Sequence, residues 1–140
     1  MIIVLDASVA IKWFNKEEFS DIALKLREEF YNGKHEIVVP DLILYEVSNA
    51  LVYNKEFSAG DISMAINSII DMELTINIPS KDLLEKSIEI ARKEKITLYD
   101  AVYIGLTREI YAKFVTADDK LGKIKGVLLL KDFFNSKAND

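Results

Sequence analysis

Short apolar stretches alternate with helical segments along almost the whole chain. Five stretches have the length and composition of buried strands, at positions 2–5, 36–39, 74–78, 113–115 and 127–130. Between them, apolar residues recur at the three- and four-residue spacing of helices. Strands that are apolar on both faces and are separated by helices predict a parallel sheet covered on each side. We therefore expect a three-layer α/β/α sandwich with about five parallel strands.

The predicted helices follow residues that commonly cap helix N-termini. Side chains of this kind accept a hydrogen bond from a free backbone N–H in the first turn. We expect such caps at five helix starts: Ser20 or Asp21, Asp41, Ser58, Ser80 and Thr97.

Length and composition favour one domain of a globular protein. The 140 residues match the usual size of a single domain, which we place at 1–134, followed by a short charged tail at 135–140. The chain has no Cys, which excludes disulfides, thiolate metal sites and a Cys nucleophile. No run of about 18 apolar residues is present, and no basic segment precedes the first strand. We expect a soluble, cytoplasmic protein with no membrane partner.

The charge balance is acidic. Lys and Arg number 18 against 23 Asp and Glu, giving a net charge of −5. This charge argues against broad electrostatic capture of nucleic acid. It does not exclude an enzyme that acts on nucleic acid, because bound metal ions or a local basic rim can reverse the sign of the electrostatic field at the binding site.

Carboxylates cluster at positions that map to one end of the predicted sheet. Asp6 follows the first strand, and Asp118 and Asp119 follow the fourth. Glu46 and Asp100 lie on helix sides that are otherwise apolar. In open α/β sheets, ligands bind at the carboxyl ends of the strands, near the point where the strand order reverses.

Each of these acids also has a structural interpretation. Asp6 can cap a helix, Asp100 can form a capping box with Thr97, and Asp118 and Asp119 can belong to a solvated turn. Glu46 has no basic residue one turn away on its helix to pair with. Convergence of the acids is what favours a site, since close carboxylates repel and need a cation. Such all-oxygen sites suit Mg²⁺ or Mn²⁺ and serve phosphoryl chemistry.

Four segments, in this order, resemble the PIN-domain family and, within it, the VapC-type ribonuclease toxins of toxin–antitoxin pairs. The segments are IIVLDASVAIKWF, PDLILYEVSNAL, TLYDAVYIGL and FVTADDKL. The resemblance runs from residue 1 to about 133 and implies the PIN fold. It implies a catalytic, metal-binding set of Asp6, Glu46, Asp100 and Asp118, with Asp119 as an optional further ligand.

The resemblance also implies an activity and partners. The expected enzyme is a Mg²⁺- or Mn²⁺-dependent endoribonuclease in which water attacks the RNA phosphodiester, leaving a 5′-phosphate and a 3′-hydroxyl. It implies a homodimer and an antitoxin that occupies the acidic groove. The single histidine, His35, independently excludes a two-histidine ribonuclease mechanism. We interpret Ser8 and Thr116 as supports for the acidic loops, since neither has a base nearby in sequence.

Two other functions stay open for a PIN protein. One is RNA processing without an antitoxin, and the other is a catalytically quiet binding protein. A receiver domain and a dehalogenase-type phosphatase fit poorly, because Asp6 has no adjacent acid and Ser8 stands where the phosphatase needs its second acid.

Several other residues receive simpler interpretations. We expect His35 at the surface. Tyr45, Tyr53 and Phe57 can belong to the core or to an interface, and the core is the favoured interpretation for each single aromatic residue. Four lysines flank the acidic segments and are candidates for a phosphate-contacting rim: Lys12, Lys16, Lys120 and Lys123.

Overall fold

Five parallel strands form the central sheet of the computed structural model, which describes residues 1–135. The strands are β1 (Ile2–Leu5), β2 (Glu36–Pro40), β3 (Thr75–Asn77), β4 (Lys113–Thr116) and β5 (Val127–Leu129). Their order is β3-β2-β1-β4-β5, and every neighbouring pair is parallel. The chain builds outward from β1 to β3 and then adds β4 and β5 on the other side. The predicted parallel sheet is confirmed, and its strand order reverses between β1 and β4.

Six α-helices complete the three layers of the α/β/α sandwich. They are α1 (Ala7–Ala10), α2 (Ser20–Tyr31), α3 (Leu42–Val52), α4 (Ala59–Asp71), α5 (Lys81–Glu94) and α6 (Leu98–Glu109). Short 3₁₀ turns occupy Ile11–Trp13, Leu121–Lys123 and Leu130–Asp132. Within residues 1–135, none of the helices combines the length and apolar composition that a membrane crossing requires.

Burial follows the position of each strand in the sheet. The central strand β1 is the most deeply covered, with Ile3, Val4 and Leu5 wholly buried. Its β-branched, two-sided apolar sequence suits a strand that has helices on both faces. The edge strand β3 leaves Ile76 exposed. The sheet centre is therefore the rigid platform from which residues after β1 and β4 project.

Three of the five predicted helix caps are confirmed. Ser58 accepts from the Asp61 N–H and forms a full capping box, Ser80 accepts from the Leu83 N–H, and Thr97 accepts from the Asp100 N–H. These residues have the extended backbone that an N-cap requires.

The predicted caps of α2 and α3 are wrong. Ser20 lies inside α2, where its hydroxyl accepts from the Glu17 N–H and donates to the Asn15 carbonyl. Asp21 is the next residue of that helix. Asp41 makes no side-chain cap bond, because its backbone is helical and not extended as an N-cap requires. Its N–H donates to the Asn77 carbonyl on β3. The predicted tail at 135–140 lies outside the described residues from position 136 onward.

His35 is a partly buried residue whose side chain is largely covered, so its predicted surface position is wrong. Its side chain is 8% exposed and its Nε2 lies 2.8 Å from Glu29 Oε1. The ring packs edge-on against Phe133, with centroids 5.7 Å apart. The chain returns over His35 after β5, a contact between distant segments that local sequence patterns do not contain.

Two of the three aromatic residues assigned to the core are at the surface. Tyr45 and Tyr53 are 73% and 78% exposed. The inward face of α3 is occupied by Ile43, Val47 and Leu51, which leaves the tyrosines on the outer face. Phe57 is partly buried and packs against the core.

Candidate active site

Asp6 lies at the carboxyl end of β1 and is almost completely buried. It occupies the residue before α1 in extended conformation, but its side chain makes no cap bond to the helix. Ser8 Oγ donates to Asp6 Oδ1 over 2.5 Å, and Thr116 Oγ1 donates to Asp6 Oδ2 over 2.6 Å. The residue as a whole is 6% exposed to solvent. Helix capping therefore does not account for this buried acid.

The two hydroxyls that bind Asp6 also bind the loop after β4. Ser8 Oγ accepts from the Ala117 N–H over 2.9 Å, and Thr116 Oγ1 accepts from the Asp118 N–H over 3.1 Å. Each hydroxyl thus accepts one backbone N–H and donates to the carboxylate. This network ties the end of β1 to the end of β4, the two strands between which the strand order reverses.

Glu46 projects from α3 and is held by a residue that the sequence interpretation missed. Tyr103 of α6 donates its hydroxyl to Glu46 Oε1 over 2.6 Å. Tyr103 is 1% exposed, and its ring stacks on Phe114 with centroids 5.9 Å apart. Its place on the apolar face of α6 is typical of a core residue. The available signal was its hydroxyl, because a buried tyrosine O–H requires a partner.

Asp100 is half-buried in the first turn of α6. Its backbone N–H donates to Thr97 Oγ1 over 3.1 Å. The reciprocal bond that completes the box at Ser58 and Asp61 is not formed at Thr97 among the described residues. The Thr97 side chain also lowers the pKa of the Asp100 carboxyl by hydrogen bonding, against the larger rise caused by burial. The structural interpretation therefore explains the backbone N–H of Asp100 and part of the environment of its carboxylate.

Asp118 has a structural contact that the sequence interpretation did not assign to it. Its Oδ1 accepts from the Lys120 N–H over 3.0 Å and closes the turn before the 3₁₀ segment Leu121–Lys123. The residue is partly buried, whereas Asp119 is exposed. Asp119 takes no part in the interactions among the other acids, and its role as a ligand stays a prediction.

The four carboxylates interact electrostatically with one another. Asp6 interacts with Glu46 and Asp100, Glu46 with Asp100, and Asp100 with Asp118. Burial raises the pKa of Asp6 to about 6 against the opposing hydrogen bonds from Ser8 and Thr116, with a further rise from the neighbouring acids. Burial also raises the pKa of Glu46 and of Asp100. The structure thus brings the predicted acids into one negative region.

The donor chemistry of this region fits a hard divalent cation. Of the ion pairs within residues 1–135, none involves Asp6, Glu46, Asp100 or Asp118. Carboxylate oxygens are the ligands that Mg²⁺ and Mn²⁺ prefer. No three Asp, Glu or His side chains in the described part of the chain already stand close enough to hold an ion. An ion held by three of these carboxylates at once would need them closer together than they stand here.

Lys12 does not belong to a phosphate-contacting rim, so that interpretation is wrong for this residue. It is 8% exposed, and its Nζ donates to Glu17 Oε1 and to the Glu18 carbonyl over 2.9 and 2.7 Å. A cation buried on the apolar side of the Ile11–Trp13 turn needs such partners. Lys16, Lys120 and Lys123 are exposed.

Comparison with known proteins gives one family and several relatives. The PIN domain family matches residues 3–127 of the chain. The curated protein Ribonuclease VapC3 of Pyrobaculum aerophilum is 27% identical over 127 residues, which cover 88% of this chain and 94% of that protein.

Two solved structures show the similarity of fold. VapC20 of Mycobacterium tuberculosis, described as a sarcin-ricin loop cleaving toxin, superposes with a TM-score of 0.70 at 17% identity, covering 89% of this chain and 96% of that one. VapBC2 of Rickettsia felis, solved with a DNA fragment from its promoter, gives a TM-score of 0.68 at 17% identity, with coverages of 92% and 97%.

Proposed function

The chain belongs to the PIN domain family, and we propose that it is a metal-dependent endoribonuclease of the VapC type. The name of its 27% identical relative, Ribonuclease VapC3, supports this activity. The proposed nuclease domain is 1–134, and the proposed setting is the cytoplasm.

The observation that carries the proposal is the environment of Asp6. Asp6 is 6% exposed, and its carboxylate interacts electrostatically with Glu46 and Asp100. No ion pair among residues 1–135 gives it a cationic partner. Burial of an uncompensated charge is costly. An uncharged residue at position 6 would avoid this cost if the residue served folding alone. We therefore assign the site to a bound cation.

The residues that would hold Mg²⁺ or Mn²⁺ are Asp6, Glu46 and Asp100, with Asp118 placing a second ion or orienting a water. When bound, the ion supplies a Lewis acid that lowers the pKa of water and offsets charge on the scissile phosphate. The expected products carry a 5′-phosphate and a 3′-hydroxyl.

Neighbouring hydroxyls position the acids for this task. Ser8 and Thr116 each donate to one oxygen of Asp6, which fixes the orientation of the carboxylate. Tyr103 fixes Glu46 in the same way. Hydrogen-bonded partners of metal ligands set ligand orientation and typically affect affinity or activity about 10- to 100-fold.

A cognate antitoxin and a second copy of the chain are the proposed protein partners. Support for the antitoxin comes from similar folds solved as complexes, including VapBC2 of Rickettsia felis and a toxin–antitoxin complex from Klebsiella pneumoniae. An RNA-processing role without an antitoxin and a binding role without catalysis are the competing functions.

Controlled expression in cells followed by sequencing of new RNA 5′ ends tests this function. We expect one dominant cleavage site or a small set of sites with the wild-type protein. The matched control is Asp100→Asn, which removes the charge and keeps the backbone bond to Thr97. The same new ends with both proteins, or none with either, would contradict the proposal. A small reading frame directly upstream of the gene distinguishes a toxin from a processing enzyme.

A further inference from the structure

A cleft lined by two exposed tyrosines lies beside the carboxylates. Its volume is about 520 Å³, and it is lined by Leu42, Tyr45, Glu46, Asn49 and Tyr99. Glu46 also interacts with Asp6 and Asp100. A ligand in this cleft therefore lies directly against the candidate active site.

Each tyrosine immediately precedes one of the acids. Tyr45 comes before Glu46 on α3, and Tyr99 comes before Asp100 on α6. The two residues are 73% and 61% exposed. Among the described residues, neither ring contacts another aromatic ring. Two free aromatic faces on separate helices thus border the position where a phosphate would meet the acids.

This combination matches the chemistry of an unpaired nucleobase. Proteins hold single-stranded RNA by stacking its bases on aromatic side chains. The exposed Asn49 amide offers both a donor and an acceptor to a base edge. Resting on the ribonuclease function proposed above, we infer that Tyr45 and Tyr99 form a base-stacking subsite for single-stranded RNA beside the scissile phosphate.

The carboxylate in the lining favours RNA over a second copy of the chain. A protein surface placed over the cleft would cover Glu46 and remove it further from water, which is costly without a countercharge. In the enzyme proposed above, a divalent ion held by the acids would balance the charge of Glu46 and would attract an RNA phosphate to the same place. The two tyrosines then supply affinity that the acidic site itself does not.

Binding of two labelled 12-nucleotide probes tests the subsite. One is single-stranded RNA of randomised sequence, and the other has the same backbone with abasic sites throughout; both are titrated in Ca²⁺ by fluorescence anisotropy. Wild type should bind the base-bearing probe more tightly. Tyr45→Ala and Tyr99→Ala should each weaken that binding about 5- to 150-fold, the range of one stacked base, and leave the abasic probe unaffected. Tyr45→Phe and Tyr99→Phe should keep wild-type affinity.

Tyr31→Ala is the control, because Tyr31 is also 61% exposed but lies on α2. Circular dichroism and light scattering establish that each variant is folded and report its oligomeric state. Wild-type affinity in both alanine variants overturns the subsite and leaves the ribonuclease function standing. No binding of either probe by wild type contradicts the ribonuclease function itself. If an alanine variant loses both oligomeric mass and RNA affinity, the cleft belongs to the contact with a second copy of the chain, and the inference is overturned.

Discussion

Tyr103 donates its hydroxyl to Glu46 Oε1 over 2.6 Å and so connects α6 to α3 across 57 residues of chain. Burial, and then the charge of Glu46, raise the pKa of Tyr103 far above its usual range. Loss of the proton from this hydroxyl is therefore disfavoured. The hydroxyl is a donor to Glu46 that fixes the orientation of its carboxylate.

Tyr103→Phe should reduce RNA cleavage about 10- to 100-fold, the usual effect of losing a partner of a metal ligand. The ring still stacks on Phe114, so the free energy of unfolding should fall by only about 0.5–1.5 kcal/mol. Cleavage rates and urea unfolding measure the two effects. Tyr111→Phe, at a residue that is 94% exposed, is the matched control. Equal activity of Tyr103→Phe and wild type would remove Tyr103 from the site.

Thr116→Val should destabilise the protein by about 1–3 kcal/mol, because a buried carboxylate loses a donor and the Asp118 N–H loses its acceptor. The substitution conserves shape, so packing contributes little. Thr116→Ser keeps the hydroxyl and should restore most of the stability and the activity. Thermal melts of the three proteins give the comparison, and identical destabilisation by Val and Ser would show that the hydroxyl is unimportant.

Metal-free protein should lose stability as the pH rises from about 4 to about 6. In this interval folded Asp6 keeps a proton that unfolded Asp6, with its ordinary pKa of 3.8, has released. The folded state therefore binds more protons, and the free energy of unfolding falls with pH, by about 3 kcal/mol for a shift of this size. Asp6→Asn should lack most of this slope. Urea unfolding in EDTA between pH 4 and 8 measures it, and parallel curves for the two proteins would contradict a buried, uncompensated Asp6.

Asp118→Asn separates turn formation from metal binding. Asn keeps an oxygen that can accept from the Lys120 N–H, so the turn should persist. Without metal, the variant should be as stable as wild type or more so, because one repelling charge is gone. Wild type should gain about 2.7 kcal/mol at a Mg²⁺ or Mn²⁺ concentration of one hundred times the dissociation constant. Thermal melts across a metal titration should show a much smaller gain in the variant; equal gains would exclude Asp118 as a ligand.

Local patterns predicted the elements of the fold well. The strand segments, the parallel sheet and the caps at Ser58, Ser80 and Thr97 depend on alternating apolar runs and on side chains next to their own helix. The same logic placed Asp6 after β1 and Asp118 after β4. The PIN resemblance predicted from ordered segments is confirmed by the family match to residues 3–127.

Contacts between distant segments account for what the sequence did not predict. The Tyr103 bond to Glu46 and the cover of Phe133 over His35 join parts of the chain that only the fold brings together. Ser8 and Thr116 were interpreted as supports for the acidic loops, but the sequence did not show that both hydroxyls bind the Asp6 carboxylate. Tyr45 was assigned to the core on residue type alone, whereas the side of α3 on which it lies decides its exposure.

Cleavage of a single-stranded RNA by purified protein, with analysis of the product ends, tests the central claim most directly. The reactions contain Mg²⁺, Mn²⁺ or EDTA, and Asp6→Asn and Glu46→Gln are run beside wild type. We expect internal cuts with 5′-phosphate and 3′-hydroxyl ends in either metal, none in EDTA, and little cleavage by either variant. Full activity in EDTA, or products that end in a 2′,3′-cyclic phosphate, would contradict a metal-dependent hydrolysis at these carboxylates.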